Sequence, residues 1–239
     1  MVDFLGNFYI LHIFMTIEEK IKAIILAKGA DLCGIANISR FSDSELGFHP
    51  SDIYKACKSV VVLAKRLPKG LVYVSPRIVY NHANRLNVNV LDTITYEASI
   101  AIEQLGCAAV PLPCDDPVDY WEKENLKAKG LLSMRHAAVL AGLGSLGKNT
   151  LFINQQYGNF ITLGAILTNL DLQSDPLSEE LCLENCRLCL DNCPVKALDG
   201  KTTNQKLCRP HTYTTNDRGL GVVNCNTCRT ICPRRFGVQ

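Results

Sequence analysis

The reading turns on two stretches near the end of the chain, CLENCRLCLDNCP (182–194) and CNTCRTICP (225–233), with a lone Cys208 between them. Eight of the twelve cysteines fall within 182–232, and only Cys33, Cys57, Cys107 and Cys114 lie elsewhere. Disulfide frameworks belong to short secreted chains whose cysteines are spread evenly. This chain has 239 residues and loads its cysteines at one end. Metal binding is therefore the expectation for residues 171–239, a small loop-rich domain.

Thiolates two residues apart grip one metal centre without straining the backbone. In two-cluster ferredoxins the Cys-Pro that ends each run turns away and ligates the other cluster. That rule assigns Cys182, Cys186, Cys189 and Cys232 to one [4Fe–4S] cluster, and Cys193, Cys208, Cys225 and Cys228 to a second. A pair of zinc sites and plain reduced thiols are the alternatives, but zinc ribbons have no need of a Cys-Pro after a three-residue gap. The ferredoxin spacing has two residues between the first two ligands, whereas Cys182 and Cys186 are separated by three, with Leu183 at the usual ligand position. A slightly wider loop accommodates this; a three-iron cluster or a labile first site are the other outcomes. Residues 182–239 hold nine Lys/Arg against four Asp/Glu. That surplus balances the negative charge of two thiolate-bound clusters rather than nucleic-acid phosphates. Arg234-Arg235 is a candidate docking patch for an acidic electron donor.

Upstream, 47% hydrophobic residues and a formal net charge of +2 exclude a disordered acidic chain and a strongly basic nucleic-acid binder. A chain of this size buries roughly 70–75% of its unfolded surface, so it folds without staples. The apolar start MVDFLGNFYILHIFM lacks Lys and Arg and is too short for the ~20 residues that span a bilayer. Residues 1–15 read as an extension before the fold, with an anchor as the other reading, and the protein is expected in the cytoplasm without a membrane. Thr16 and Glu19 form a capping box before Ile17, Ile21, Ile24 and Ile25, and Gly29 closes that helix. Residues 32–36 and 59–64 read as strands, the second buried on both faces by its unbroken apolar run. A helix is expected over 91–105, stopped at Gly106, followed by an apolar stretch over 108–112. A long loop over 113–132, a helix over 133–141 and a strand over 160–170 complete an α+β domain over 16–170.

Between that last helix and strand lies the turn Gly142-Leu-Gly144-Ser-Leu-Gly147-Lys148-Asn149-Thr150. A dinucleotide fingerprint must follow a strand and open a helix; here the order is helix, then β-like residues. A phosphate-binding loop needs Ser or Thr after the lysine, and Asn149 stands there. Three glycines in six residues still require a sharp bend or a close approach, with Lys148 and Asn149 offering donors to whatever is approached.

Taken in order, AGLGSLGKNTLFIN (141–154), GNFITLGAILTNL (158–170), CRLCLDNCPVKAL (186–198) and CNTCRTICP (225–233) resemble epoxyqueuosine reductase, which groups with reductive dehalogenases among cobalamin-dependent iron–sulfur reductases. The resemblance implies a nitroreductase-like corrinoid-binding domain followed by a ferredoxin-like two-cluster domain. Electrons would pass from an external low-potential donor through the clusters to a bound cobalamin. It further implies that Gly142, Gly144, Gly147, Lys148, Asn149 and Thr150 contribute to the corrinoid site. The chain departs from the family in three ways. Its stretch LLSMRHAAVLAGLG (131–144) lacks the family's acidic proton donor, Ser145 replaces a bulky residue, and no helical-repeat extension precedes Gln239. The expected substrate is therefore a small molecule or modified nucleoside, with tRNA doubtful. The alternative is a non-catalytic electron-transfer or corrinoid-reactivating partner.

Three further side chains invite roles. His136 is the nearest replacement for the missing acid, against a plain reading as a helix-start histidine bonded locally. Arg135 is a candidate anion binder. Cys114 is a thiol whose neighbouring carboxylates raise its pKa, so a structural role is expected for it.

Overall fold

A computed structural model describes residues 15–75, 77–115, 118 and 120–238; the expected extension at 1–14 lies outside the described residues. Helix α1 (Ile17–Ala27) starts at the capping box, with Glu19 N donating to Thr16 Oγ1 at 3.2 Å and Thr16 N to Glu19 Oε2 at 2.8 Å. Gly29, at φ +102°, releases the chain into β1 (Leu32–Asn37) and then β2 (Ser59–Arg66). Helix α2 runs from Ile78 to Glu103, starting well before the expected position 91. Its first half exposes Ile78, Val79, Leu86 and Val90, so no apolar stripe marks it in the sequence. From Leu91 onward, Leu91, Ile94, Ala98 and Ile102 face the core. Gly106, at φ +86°, then turns the chain into β3 (Ala109–Leu112).

The expected loop over 113–132 contains a small hairpin, β4 (Tyr120–Glu122) against β5 (Lys127–Lys129). Helix α3 (Met134–Leu140), the short pair β6 (Ser145–Leu146) and β7 (Phe152–Ile153), and β8 (Ile161–Thr168) follow. The main sheet has the order β1-β2-β8-β3, with every pair antiparallel. Side chains alternate across it. Val61, Leu63 and Ile166 face α1 and α2, while Val60, Val62, Ala64, Leu163, Ala165 and Leu167 face α3. Both faces are covered, which is why residues 59–64 are all buried. Each such aliphatic side chain contributes about 1.5–3 kcal/mol by leaving water. Ala137, Ala138 and Ala141 let α3 approach closely, and at Gly34 a Cβ would stand 2.5 Å from the Ala141 carbonyl.

Residues 172–175, at the start of the expected small domain, are bound to the outer edge of β1. The Asp175 carboxylate accepts from Ile35 N at 2.9 Å and pairs with Lys22. Ser174 Oγ accepts from Asn37 N at 2.8 Å, and buried Leu172 donates its N–H to Ser59 Oγ at 3.0 Å. This strap covers hydrogen-bonding groups that an edge strand would otherwise present. Beyond it come α4 (Leu188–Asp191), α5 (Gln205–Thr212), the hairpin β9 (Tyr213–Thr215) with β10 (Gly221–Val223), and α6 (Thr227–Thr230).

The two regions share a packed boundary. Phe236 meets Phe160 edge-on with ring centroids 5.3 Å apart, beside Leu67, Leu71, Tyr80 and Val223. Val238 N donates to Gln155 O at 2.7 Å. Gly158 admits the returning chain, since a Cβ there would stand 2.1 Å from the Arg234 carbonyl.

Candidate functional site

The cysteine-rich segment is built from short helices and one hairpin and is held by contacts with the preceding residues. Cys189 lies on α4, Cys208 on α5 and Cys228 on α6. All twelve cysteines are free thiols. Cys182, Cys186, Cys189 and Cys232 line a single small cavity, with Gly147, Lys148 and Arg234 in its wall. The remaining four gather separately: Cys193, Cys208 and Cys225 are the cysteine neighbours that act on the Cys228 thiol. Cys232, although it ends the second run, is acted on by Cys182, Cys189 and Cys186. Cys232 thus stands with the cysteines of the first run, and Cys193 neighbours those of the second.

Burial pushes the Cys228 thiol up to about 11 despite Arg229 beside it, and raises Cys189 and Cys232 as well. Neighbouring thiols reinforce each of these shifts. Among the described residues, no group of three or more His, Cys, Asp or Glu side chains is arranged to hold a single metal ion.

The glycine-rich turn lies against both groups. Its glycines admit the protein's own backbone: a Cβ at Gly142, which has φ +73°, would stand 2.0 Å from the Pro176 carbonyl, and one at Gly144 would stand 2.0 Å from the Ile153 carbonyl. Lys148 Nζ donates to the carbonyls of Leu183 (3.2 Å), Glu184 and Cys186 (3.1 Å). Asn149 is buried; its Nδ2 donates to Cys228 O at 2.8 Å and its Oδ1 accepts from Leu151 N at 3.2 Å. The donors foreseen in the sequence therefore reach the cysteine loops, one residue to each group. Thr150, at φ +61°, shares a hydrogen bond with Thr203 Oγ1 at 2.8 Å.

A cleft of about 1190 Å³ opens beside the first group. The turn contributes Gly142, Gly147, Lys148 and Thr150 to its wall, and residues 176–184, Lys201 and Arg234 close the other side. Gly144 and Asn149 are outside that lining and serve packing. Cleft and cysteine cavity share Gly147, Lys148, Cys182, Leu183 and Arg234, so whatever occupies the cleft abuts the first cysteine group.

Other sequence candidates take local roles. His136 Nδ1 is 2.6 Å from Ser133 Oγ, and burial together with Arg135 lowers its pKa, so the ring is held neutral. It lines neither the cleft nor the cysteine cavity. Arg135 is committed to the Thr150 carbonyl and hydroxyl. Cys114 packs against Gly164 and Thr95, and its thiol is pushed far up, first by burial and then by Asp92. Ser145 is buried, and its Oγ accepts from Leu181 N at 2.9 Å.

Arg234 and Arg235 are not an open basic patch. Both Nε atoms are buried without a hydrogen-bond partner, Arg235 stacks on Phe236, and its guanidinium donates to Cys232 O at 3.2 Å. Arg234, expected only as part of a docking patch, instead lies in the walls of both cavities. The only signal of that place is its position directly after the closing Cys232-Pro233.

No family model matches the chain. An epoxyqueuosine reductase of Lactococcus garvieae (strain Lg2) is 34% identical over 115 residues, which cover 43% of this chain and 32% of that protein. Among solved structures, epoxyqueuosine reductase from Streptococcus thermophilus matches with a TM-score of 0.66 at 21% identity, over 94% of this chain and 68% of that one. An epoxyqueuosine reductase solved with a tRNA-Tyr epoxyqueuosine-modified stem loop matches with a TM-score of 0.62 at 20% identity, over 91% and 64%. A reductive dehalogenase described in terms of B12-dependent dehalogenation matches with a TM-score of 0.62 at 16% identity, over 92% and 32%. The chain is thus similar in sequence to epoxyqueuosine reductases, and its mixed helix and strand fold resembles both kinds of enzyme. It spans about a third of the length of the curated relative it matches.

Proposed function

We propose that this chain is an iron–sulfur oxidoreductase. In this reading Cys182, Cys186, Cys189 and Cys232 hold one [4Fe–4S] cluster, and Cys193, Cys208, Cys225 and Cys228 hold the other. The adjoining cleft takes a cobalamin. The observation that carries the reading is the joining of the first four-thiol cavity to a cleft of about 1190 Å³ through shared walls at Lys148, Leu183 and Arg234. The donor chemistry fits at the first cavity: four cysteine sulfurs line it with no carboxylate or imidazole in its wall, the set that iron–sulfur clusters take. Cobalamin, when bound, supplies a redox-active metal centre beyond the reach of amino-acid side chains.

The chain's own residues bind and arrange. The turn over 142–150 forms one wall of the cleft, Lys201 and Arg234 offer cationic groups to it, and Glu179, Glu180 and Glu184 are the carboxylates that face it. Electrons come from an external low-potential donor. The substrate is a small molecule or a modified nucleoside, including one carried on tRNA. The stem-loop complex of a structural neighbour speaks for that substrate. A relay-only role is not favoured, because the named relatives are reductases and a relay needs no cleft at its cluster. Among the described residues no helix is long and apolar enough to cross a membrane, and we place the protein in the cytoplasm.

Anaerobic titration of the purified protein with cobalamin, followed by its absorption spectrum and by gel filtration with cobalt analysis, tests the reading. Stoichiometric cobalt co-eluting with the chain is expected. Two intact clusters with no retained cobalt would remove the reductase reading and leave the clusters.

A further inference from the structure

The loop from Cys182 to Cys186 is one residue longer than the ferredoxin spacing, and the structure contains a device that matches the excess. Lys148 Nζ meets three carbonyls of this loop and its end, those of Leu183, Glu184 and Cys186. A lysine ammonium has three donors and no acceptor, so the loop takes its full capacity. Leu183 and Glu184 have exposed side chains, so the loop is gathered by its backbone rather than by apolar packing. Its own turn is closed by Cys186 N donating to Leu183 O at 3.1 Å, the same carbonyl that Lys148 reaches. The position is prepared by Gly147, where a Cβ would stand 2.7 Å from Asn149 Oδ1 and 2.9 Å from Ile153 Cδ1. Asn149 then turns the opposite way to Cys228 O.

We propose that Lys148 is a positioning residue for the first cluster. It compensates for the extra residue between Cys182 and Cys186, and its fixed positive charge makes that cluster easier to reduce. The inference rests on the cluster reading above. Three carbonyl dipoles turned toward one cation hold the loop wide at a set radius, so Cys182 and Cys186 stay aimed into the shared cavity. A positive charge in that wall stabilises the more negative, reduced form of a cluster.

The test uses the full chain, reconstituted anaerobically with iron and sulfide, in wild type, Lys148→Met, Lys148→Arg, and Lys148→Met combined with deletion of Glu184. Three quantities are read: iron per chain, the rate of iron loss to a chelator, and the midpoint potential of each cluster by EPR-monitored redox titration. In Lys148→Met, one cluster should lose iron roughly tenfold faster or more, and its potential should move to more negative values. The other cluster should stay unchanged. Lys148→Arg keeps the charge but not the three-carbonyl geometry, so its potential should stay near wild type while its iron loss falls between the other two. Deleting Glu184 restores the two-residue spacing and should slow the loss in the Met background.

Equal retention and equal potentials in wild type and Lys148→Met, with two clusters present, would overturn the proposal and leave the cluster reading standing. A wild-type chain that assembles no cluster would overturn both. Should Lys148→Met fail to fold, the arginine variant decides: a potential shifted from wild type contradicts the charge role, and unchanged iron loss contradicts the clamp.

Discussion

Asn149 Nδ2 donates to the backbone carbonyl of Cys228 at 2.8 Å, tying the buried centre of the glycine-rich turn to the second cysteine run. Both polar atoms of this side chain are used, since Oδ1 accepts from Leu151 N. Removing it leaves two part-buried backbone groups without this partner, at up to about 1–3 kcal/mol each. Asn149→Ala should therefore lower stability by about 2–4 kcal/mol, read as a drop in Tm and in denaturant midpoint. Asn149→Asp should do similar damage, because an acceptor would then face the Cys228 carbonyl.

The close approach at Gly144 makes a sharp contrast with an open glycine. Gly144→Ala drives a Cβ to 2.0 Å from the Ile153 carbonyl, whereas at Gly70 nothing lies within 4 Å. The first substitution should cost about 3 kcal/mol or more and the second should stay within about 0.5 kcal/mol. Chemical denaturation of both variants checks this, and equal stabilities would refute the packing role given to the turn.

Exchange of cysteines between the runs has its own signature. Cys193→Ala should abolish the cluster held with Cys208, Cys225 and Cys228, although Cys193 closes the other run. Cys232→Ala should abolish the one held with Cys182, Cys186 and Cys189. EPR of the reduced variants separates the two signals. Loss of the same signal in both variants would contradict the grouping seen around Cys228 and Cys232.

Asp199 gives a pH dependence with a definite sign. Its carboxylate accepts from Lys201 N, Thr202 N and Thr202 Oγ1, and the Thr202 backbone hydrogen bond leads in holding its pKa down to about 2 from 3.8. A depressed carboxylate pKa contributes stability that is complete above the unfolded value and lost as pH falls through the folded one. The turn over 199–202 should therefore persist to about pH 2, and the Asp199 carboxyl carbon should titrate near that pH by NMR. A midpoint near 4 would show that the turn is not formed in solution.

Cys33, Cys57 and Cys114 should be inert while the protein is folded. Burial pushes Cys33 up to about 12 and Cys57 up to about 11, and Cys114 is raised further by burial and Asp92. Alkylation at pH 8 of the cluster-loaded chain should leave all three unmodified, and urea should expose them. Rapid labelling of Cys114 in the folded protein would contradict its structural role.

Much of the fold is legible because burial leaves periodic marks. The unbroken apolar run of β2 records a sheet covered on both faces, and Thr16 with Glu19 records the start of α1. The first half of α2 left no such mark, since Ile78, Val79, Leu86 and Val90 face solvent. Hairpin β4–β5 has three residues per strand and mostly charged or exposed side chains, too short to show alternation. Binding of residues 172–175 to β1 depends on polar atoms meeting across more than a hundred positions, which spacing cannot reveal. The two cysteine runs stand out in the sequence because their spacing is a local property. The roles of Lys148 and Asn149 do not, since a glycine-rich turn says that something comes close and leaves its identity open.

The proposed function requires each of the two four-cysteine groups to hold a cube of iron and sulfide. Iron and acid-labile sulfide measured per chain, with a Mössbauer spectrum of the anaerobically purified protein, test it most directly. About eight of each per chain, all in four-iron centres, is the predicted result. Two zinc ions with no labile sulfide, or eight thiols that take up no iron, would contradict it.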